Sequence, residues 1–221
     1  AIWGPRKRAA AGGLVLGAGY LLAGLSGGTD FWVLTLCIGV IGGAGIGLGY
    51  VVPIAVAMRW FPDKKGMITG IAVAGFGFGA MGWVKLADSW GHLILGIGLA
   101  NTFIVYGIAF AVLVLTGSLW MVFPPGGWLP AGWTPPPKTQ ANGGRDFTPL
   151  EMLQTYQFYL IFITFVAGAS AGLMAVGLMK LYPMEALQAN GFSLAEASAI
   201  AGTAMAVFFS LANGIGRIAW A

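Results

Sequence analysis

Apolar positions along this chain fall into six long runs, parted by short polar turns. The first covers Ala9 to Ser26, after the basic turn Gly4-Pro5-Arg6-Lys7-Arg8. Gly27-Gly28-Thr29-Asp30 leads to a second run, Phe31 to Phe61, which gives way to another basic turn, Pro62-Asp63-Lys64-Lys65-Gly66. A third spans Met67 to about Val84 and closes at Lys85, Asp88, Trp90 and His92; a fourth spans Leu93 to Val122 and carries a lone Asn101. Apolar stretches of about 18 residues or more with few charges read as membrane-spanning helices. A basic start before a short apolar core also fits a secretory leader, but the runs that follow favour a first spanning helix. As a helix the second run would be about 46 Å long, against roughly 30 Å of hydrocarbon. It must tilt, kink or protrude, and Pro53 is the expected kink.

Two capping signals set the later runs. Thr148-Pro149-Leu150-Glu151 has a capping threonine, proline at the first helical position and glutamate three after the cap. A fifth span is expected from there to about Lys180. A turn with Pro183, Glu185 and Asn190-Gly191 then leads to a second box, Ser193-Leu194-Ala195-Glu196, from which the sixth run continues to Ala221. Between the fourth and fifth runs, Phe123 to Asp146 holds six of the chain's eleven prolines, with Trp128 and Trp133. That composition is too proline-rich for helix. The plan is four spans (1–122), a linker (123–147) and two spans (148–221), an all-α integral membrane fold.

Composition agrees with this plan. Charged residues make up 8% of the 221 and hydrophobic ones 58%, whereas soluble domains carry about 25% charged residues. The 37 glycines suit close helix packing in lipid. Gly39, Gly43 and Gly47 stand four apart on one face, as do the pairs Gly66/Gly70 and Gly75/Gly79, and these are the expected contact faces. The formal charge of +4 implies no nucleic-acid partner, because the basic residues lie in the turns. Eight of them, Arg6, Lys7, Arg8, Arg59, Lys64, Lys65, Lys138 and Arg145, fall on one side of the six-run plan, against Lys85 and Lys180 on the other. By the positive-inside rule the linker and both chain ends are cytoplasmic. Starting in a basic turn without methionine and ending inside an apolar run, the chain reads as an internal portion of a larger protein.

Catalytic chemistry finds no constellation. One cysteine, Cys37, and one histidine, His92, cannot build a closed metal site. Cys37 reads as a packed thiol and His92 as an interfacial loop residue. No glycine pair is followed by the Lys-Ser/Thr of a phosphate loop. No enzyme, metal or cofactor is expected.

The candidates are polar groups stranded in apolar helices. Tyr50 lies nine residues before Arg59, about 14 Å along a helix, which puts its hydroxyl near mid-membrane. It reads equally as a binding group or as a tyrosine hydrogen-bonded to a neighbouring helix. Arg217 follows a charge-free stretch from Ala197 to Gly216, with Asn213 one turn earlier on the same face. A central arginine costs about 2.5–3.5 kcal/mol to insert and marks a ligand or ion path. Counted from Ala197, however, Arg217 reaches the cytoplasmic interface, where an arginine can snorkel.

Several motifs resemble those of the major facilitator superfamily, in its oxalate/formate antiporter and monocarboxylate transporter branch. They are Gly45-Ile46-Gly47-Leu48-Gly49-Tyr50 with Pro53, Arg59-Trp60-Phe61-Pro62-Asp63-Lys64-Lys65-Gly66, Thr69-Gly70, and Gly75-Phe76-Gly77-Phe78-Gly79-Ala80. Pro124-Pro125-Gly126-Gly127-Trp128 and Pro130-Ala131-Gly132-Trp133 resemble that branch's central loop. Trp3-Gly4-Pro5-Arg6 resembles the tail of the superfamily's basic loop between its second and third helices, and Asn213-Gly214-Ile215-Gly216-Arg217 the segment preceding the equivalent loop of the second half. The resemblance implies twelve helices, of which these six are the third to the eighth, with substrate between two six-helix halves. It assigns substrate-carboxylate contacts to Tyr50 and Arg217, with Asn213 lining the same face. It also implies a monomeric transporter in the bacterial plasma membrane, with the bilayer as its surroundings.

The leading expectation is a secondary transporter of small monocarboxylates such as L-lactate or pyruvate, moved with a proton by alternating access, with a membrane-buried arginine binding the carboxylate. Oxalate/formate exchange is the alternative, and a non-transporting membrane scaffold the second. One site cation suits one carboxylate. No Asp or Glu sits mid-span and arginine does not titrate, so a coupling group is expected outside these helices.

Overall fold

A computed structural model describes residues 3–87, 90–134, 147–179 and 181–219, without the side chains at 76, 77, 173 and 175–177. Asp88, Lys138, Arg145, Lys180, Trp220-Ala221 and the middle of the proline-rich linker lie outside the described residues. Among those described, the secondary structure is helical. Helix α1 covers Pro5–Leu25. Helix α2 covers Phe31–Trp60, and α3 and α4 cover Lys65–Ala87 and Leu93–Ser118. A short α5, Pro149–Leu153, precedes α6, Tyr156–Leu178. Next come α7, Leu181–Ala189, and α8, Leu194–Ala219. Five of these, α1 to α4 and α8, are long and apolar enough to cross a membrane. The apolar stretch Tyr156–Gly172 in α6 is shorter as counted over described residues.

Local chemistry sets the helix ends. Asp30 caps α2 by accepting from the Val33 N–H at 2.9 Å. Both capping boxes form: the Thr148 N–H donates to Glu151 at 2.9 Å and the Ser193 N–H to Glu196 at 3.0 Å. The first box, however, starts the five-residue α5 and not the fifth span. There the chain tightens, with Gln154 N–H donating to Glu151 O and the Thr155 hydroxyl to Met152 O. Such local bonds compete with helix continuation, and α6 starts afresh at Tyr156. The expected turn around Pro183 and Glu185 is also helical. Pro183 falls in the first turn of α7, where the N–H it lacks would have no intrahelical partner. Asn190-Gly191 ends that helix: Gly191 takes φ +90° and the Phe192 N–H donates to Leu187 O, a glycine-terminated cap.

The irregularity in α2 is not where proline suggests. Pro53 lies inside regular α-helix, Gly43–Trp60, while Thr35–Gly42 is π-helical. Helix α4 ends at Ser118, short of Val122, and carries a break at Gly98, whose φ is +81°. Near that break the Asn101 amide donates to Ile97 O and the Thr102 hydroxyl to Gly98 O, both at 2.8 Å. This gives the lone Asn101 of the fourth run a structural task.

By internal contacts the chain forms two units, Ala1–Trp133 with Phe209–Ala221, and Thr134–Phe208. In the first, α1 is the central element and packs against α4 and α2. The contact is made by glycines of α1. A Cβ on Gly12 would stand 2.7 Å from Gly49 N, and one on Gly17 2.8 Å from Gly107 O. The expected face of Gly39, Gly43 and Gly47 is not the one used: Gly43 and Gly47 have no neighbour within 4 Å, and Gly39 meets its own helix's Thr35. Gly42 and Gly45, on another face of α2, meet α1 instead. Gly75 and Gly79 of α3 are likewise open.

One end of this unit is closed by the basic motif and the start of the linker. The Arg59 guanidinium sits 3.9 Å over the Phe123 ring. The Trp60 indole donates to Val122 O at 2.7 Å and the Trp128 indole to Trp60 O at 3.2 Å. Ala9, Val52 and Val56 form the buried core beneath them. Elsewhere the surface is apolar, with Leu95 84% exposed, as suits helices that face lipid. In the second unit, α7 packs against the start of α8.

Candidate functional site

The last turns of α8, Ser210–Ala219, pack against α3. They do so where α8 carries small residues: a Cβ on Gly214 would lie 2.8 Å from the Phe78 ring. Between the two helices runs an open groove of about 480 Å³, lined by Thr69, Gly70 and Val73 of α3 and by Ala212, Asn213, Gly216 and Arg217 of α8. That volume falls in the usual range of small-molecule sites, about 300–1,000 Å³.

Asn213 and Arg217, one turn apart, are joined: the Arg217 Nε–H donates to Asn213 Oδ1 at 2.7 Å. A guanidinium can only donate, so the amide must turn its oxygen to Nε. Asn213 thereby fixes the plane of the guanidinium, leaving the terminal N–H groups and its own amide N–H groups as donors. No carboxylate among the described residues pairs with Arg217. Thr69 lies on the opposite wall and its hydroxyl donates to Lys65 O at 2.7 Å. The rest of the lining is apolar or glycine backbone. The groove is therefore a small apolar slot with an oriented cation on one wall, which can bind an anion through paired hydrogen bonds.

Tyr50 is not in this groove. It is half-buried and lines a second one of about 330 Å³, with Pro53 of α2, Ala72 and Gly75 of α3, and Ser118 and Met121 nearby. Helix α3 is the shared wall: positions 69, 70 and 73 face one groove, and 72 and 75 the other. Thr69 and Val73 lie four and eight residues into α3 from Lys65, roughly 6–12 Å along the axis. The Arg217 groove thus opens one to two turns from the basic turn. Of the sequence candidates, Arg217 and Asn213 come together and Tyr50 stands apart. Thr69, cited in the sequence only for its motif, joins them; the hydroxyl one turn after Lys65 was the signal for it.

A second polar–aromatic cluster lies away from both. The Tyr106 hydroxyl donates to Trp83 O, and the rings of Tyr106, Trp83, Phe110 and Tyr20 meet edge to face or tilted. Tyr106 is buried, so this cluster ties α1, α3 and α4 together. His92, with φ +48°, is an exposed residue at the start of α4.

Long apolar helices, a basic motif and an arginine groove all bear on descent, and the match to Major Facilitator Superfamily proteins covers residues 1–221. The chain belongs to the Major Facilitator Superfamily. This superfamily member is 26% identical over 219 residues to the uncharacterized MFS-type transporter YhjX of Escherichia coli, a match covering 98% of this chain and 49% of the relative. It is 29% identical over 175 residues to the oxalate:formate antiporter of Oxalobacter formigenes, covering 79% of this chain and 38% of that protein. With human monocarboxylate transporter 14 it shares 27% identity over 123 residues, covering 56% of this chain and 23% of the relative. The chain thus spans about half the length of these curated relatives, or less. With several helices long and apolar enough to cross a membrane it is a multi-pass membrane protein, and its family is one of transporters.

Proposed function

We propose that this chain is part of a secondary transporter of small monocarboxylates, of the lactate and pyruvate type, in which Arg217 binds the substrate carboxylate. The observation that carries the reading is the oriented arginine: its Nε is held by Asn213, it has no carboxylate partner among the described residues, and it lines a groove otherwise nearly apolar. A carboxylate there would take two parallel hydrogen bonds from the guanidinium, and its short carbon chain would lie against Val73, Ala212 and glycine backbone. Tyr50, from its separate groove, is assigned a second substrate contact made in another stage of the cycle. Residues 1–122 and 148–221 belong to two halves of the transporter joined by 123–147, which move by alternating access. Proton symport in a bacterial plasma membrane, with a monomeric transporter and a cytoplasmic linker, completes the reading; the coupling group is then a residue outside these helices.

Exchange of oxalate for formate is the second reading, favoured by the similarity to the oxalate:formate antiporter along 79% of the chain. A single arginine in the groove suits one carboxylate better than two. The test is Arg217→Gln in the full-length protein. Carboxylate uptake is expected to fall at least tenfold, with unchanged membrane insertion and thermal stability in detergent. Unimpaired uptake would remove Arg217 from the site and leave these helices as scaffold.

A further inference from the structure

The groove has two chemically different walls. On α8, Arg217 presents only donors to a ligand and Asn213 adds its amide N–H groups, its Oδ1 being turned to the Arg217 Nε–H. On α3, Thr69 presents the opposite. A hydroxyl has one proton, and that of Thr69 is committed to the Lys65 carbonyl, which can only accept, at 2.7 Å. What Thr69 turns to the groove is therefore acceptor lone pairs. Among the described lining residues the other side-chain acceptor is Asn213 Oδ1, on the arginine's own wall and already bonded to it; Val73, Ala212, Gly70 and Gly216 complete the slot.

From this polarity we infer that Thr69 is a specificity-determining residue, which selects 2-hydroxy monocarboxylates over their 2-oxo and unsubstituted counterparts. The inference rests on the carboxylate reading of Arg217. With the carboxylate on the guanidinium, the substituent on the next carbon is the first group able to meet the facing wall. A 2-hydroxyl brings a donor, which Thr69 accepts. A 2-oxo group brings an acceptor, which Thr69 can meet only by turning its proton off the Lys65 carbonyl, and a 2-methylene brings nothing, so neither gives the Thr69 lone pairs a partner. A site built to bond a substrate hydroxyl discriminates against the analogue that lacks it. A single neutral hydrogen bond corresponds to a preference of about three- to tenfold. Oxalate, acceptor at both ends, is disfavoured by the same wall.

The experiment is initial uptake of radiolabelled L-lactate, pyruvate and propionate by the full-length protein in proteoliposomes, for the wild type, Thr69→Val and Thr69→Ser. The wild type is expected to favour lactate over both others by about three- to tenfold in apparent affinity. Thr69→Val, which keeps the shape and removes the acceptor, is expected to bring the three together, and Thr69→Ser to keep the preference. Uptake of all three acids without a lactate preference, or a preference that survives Thr69→Val, overturns the inference and leaves the carboxylate reading intact. Uptake of none overturns both. If Thr69→Val fails to insert, the wild-type order and Thr69→Ser decide: an equal wild-type response, or a preference lost in Thr69→Ser, counts against Thr69.

Discussion

Arg217 is exposed on the wall of its groove, and among the described residues its side-chain partner is one neutral amide and no acid. A neutral amide orients the guanidinium without cancelling its charge, whereas a carboxylate in the same place would do both. Asn213→Asp is therefore expected to weaken carboxylate binding more than Asn213→Leu does, although aspartate keeps the contact to Nε. Even a solvent-screened ion pair is worth up to about 1 kcal/mol, and breaking it for each incoming anion would weaken binding about fivefold. Titration calorimetry of the purified full-length protein with lactate checks this. Equal or tighter binding by the aspartate variant would mean that the anion does not meet Arg217. The pair was legible in the sequence, because a four-residue spacing on one helix puts both side chains on one face. The opposite wall was not: only the packing of α3 against α8 brings Thr69 to the arginine, and nothing in a single helix's pattern encodes its neighbour.

Among the elements, glycine spacing predicted close packing but not which faces would be used. Many glycines recur in α1, α2 and α3, and any face carrying a glycine every fourth residue qualifies equally. The choice falls to α1, whose Gly12, Gly17 and Gly24 let α2 and α4 approach to backbone contact. This leads to a paired prediction. A Cβ on Gly45 would meet the backbone of Leu16, 2.7 Å from its Cα, and would lie 2.8 Å from Gly12 O. Gly45→Ala should destabilise by about 1–3 kcal/mol, as over-packing does. Gly43→Ala meets nothing within 4 Å and should be neutral or stabilise by up to about 1 kcal/mol through lost backbone freedom. Thermal unfolding in detergent distinguishes them; the reverse order would contradict this helix contact. The capping boxes were readable as helix starts because their bonds are local. The length of the helix each begins was not, since Gln154 and Thr155 tighten the backbone into a turn that apolar periodicity does not register.

At the scale of the whole molecule, the resemblance of the Arg59-Trp60-Phe61 and Pro-Pro-Gly-Gly-Trp motifs pointed to the superfamily, and the fold gives both motifs one physical task. They meet through the Trp60 and Trp128 indoles and the Arg59–Phe123 stack, closing one end of the first unit. The superfamily accounts for helices with apolar exteriors. It does not by itself choose between lactate, pyruvate and oxalate; that choice rests on the groove at Arg217. The most direct measurement is uptake of labelled lactate by the full-length protein in proteoliposomes, with an inward proton gradient and the membrane potential clamped. The account predicts accumulation above equilibrium that collapses with the gradient and is abolished in Arg217→Gln. Absence of lactate accumulation, with brisk oxalate exchange in preloaded vesicles or with no carboxylate movement at all, would contradict it.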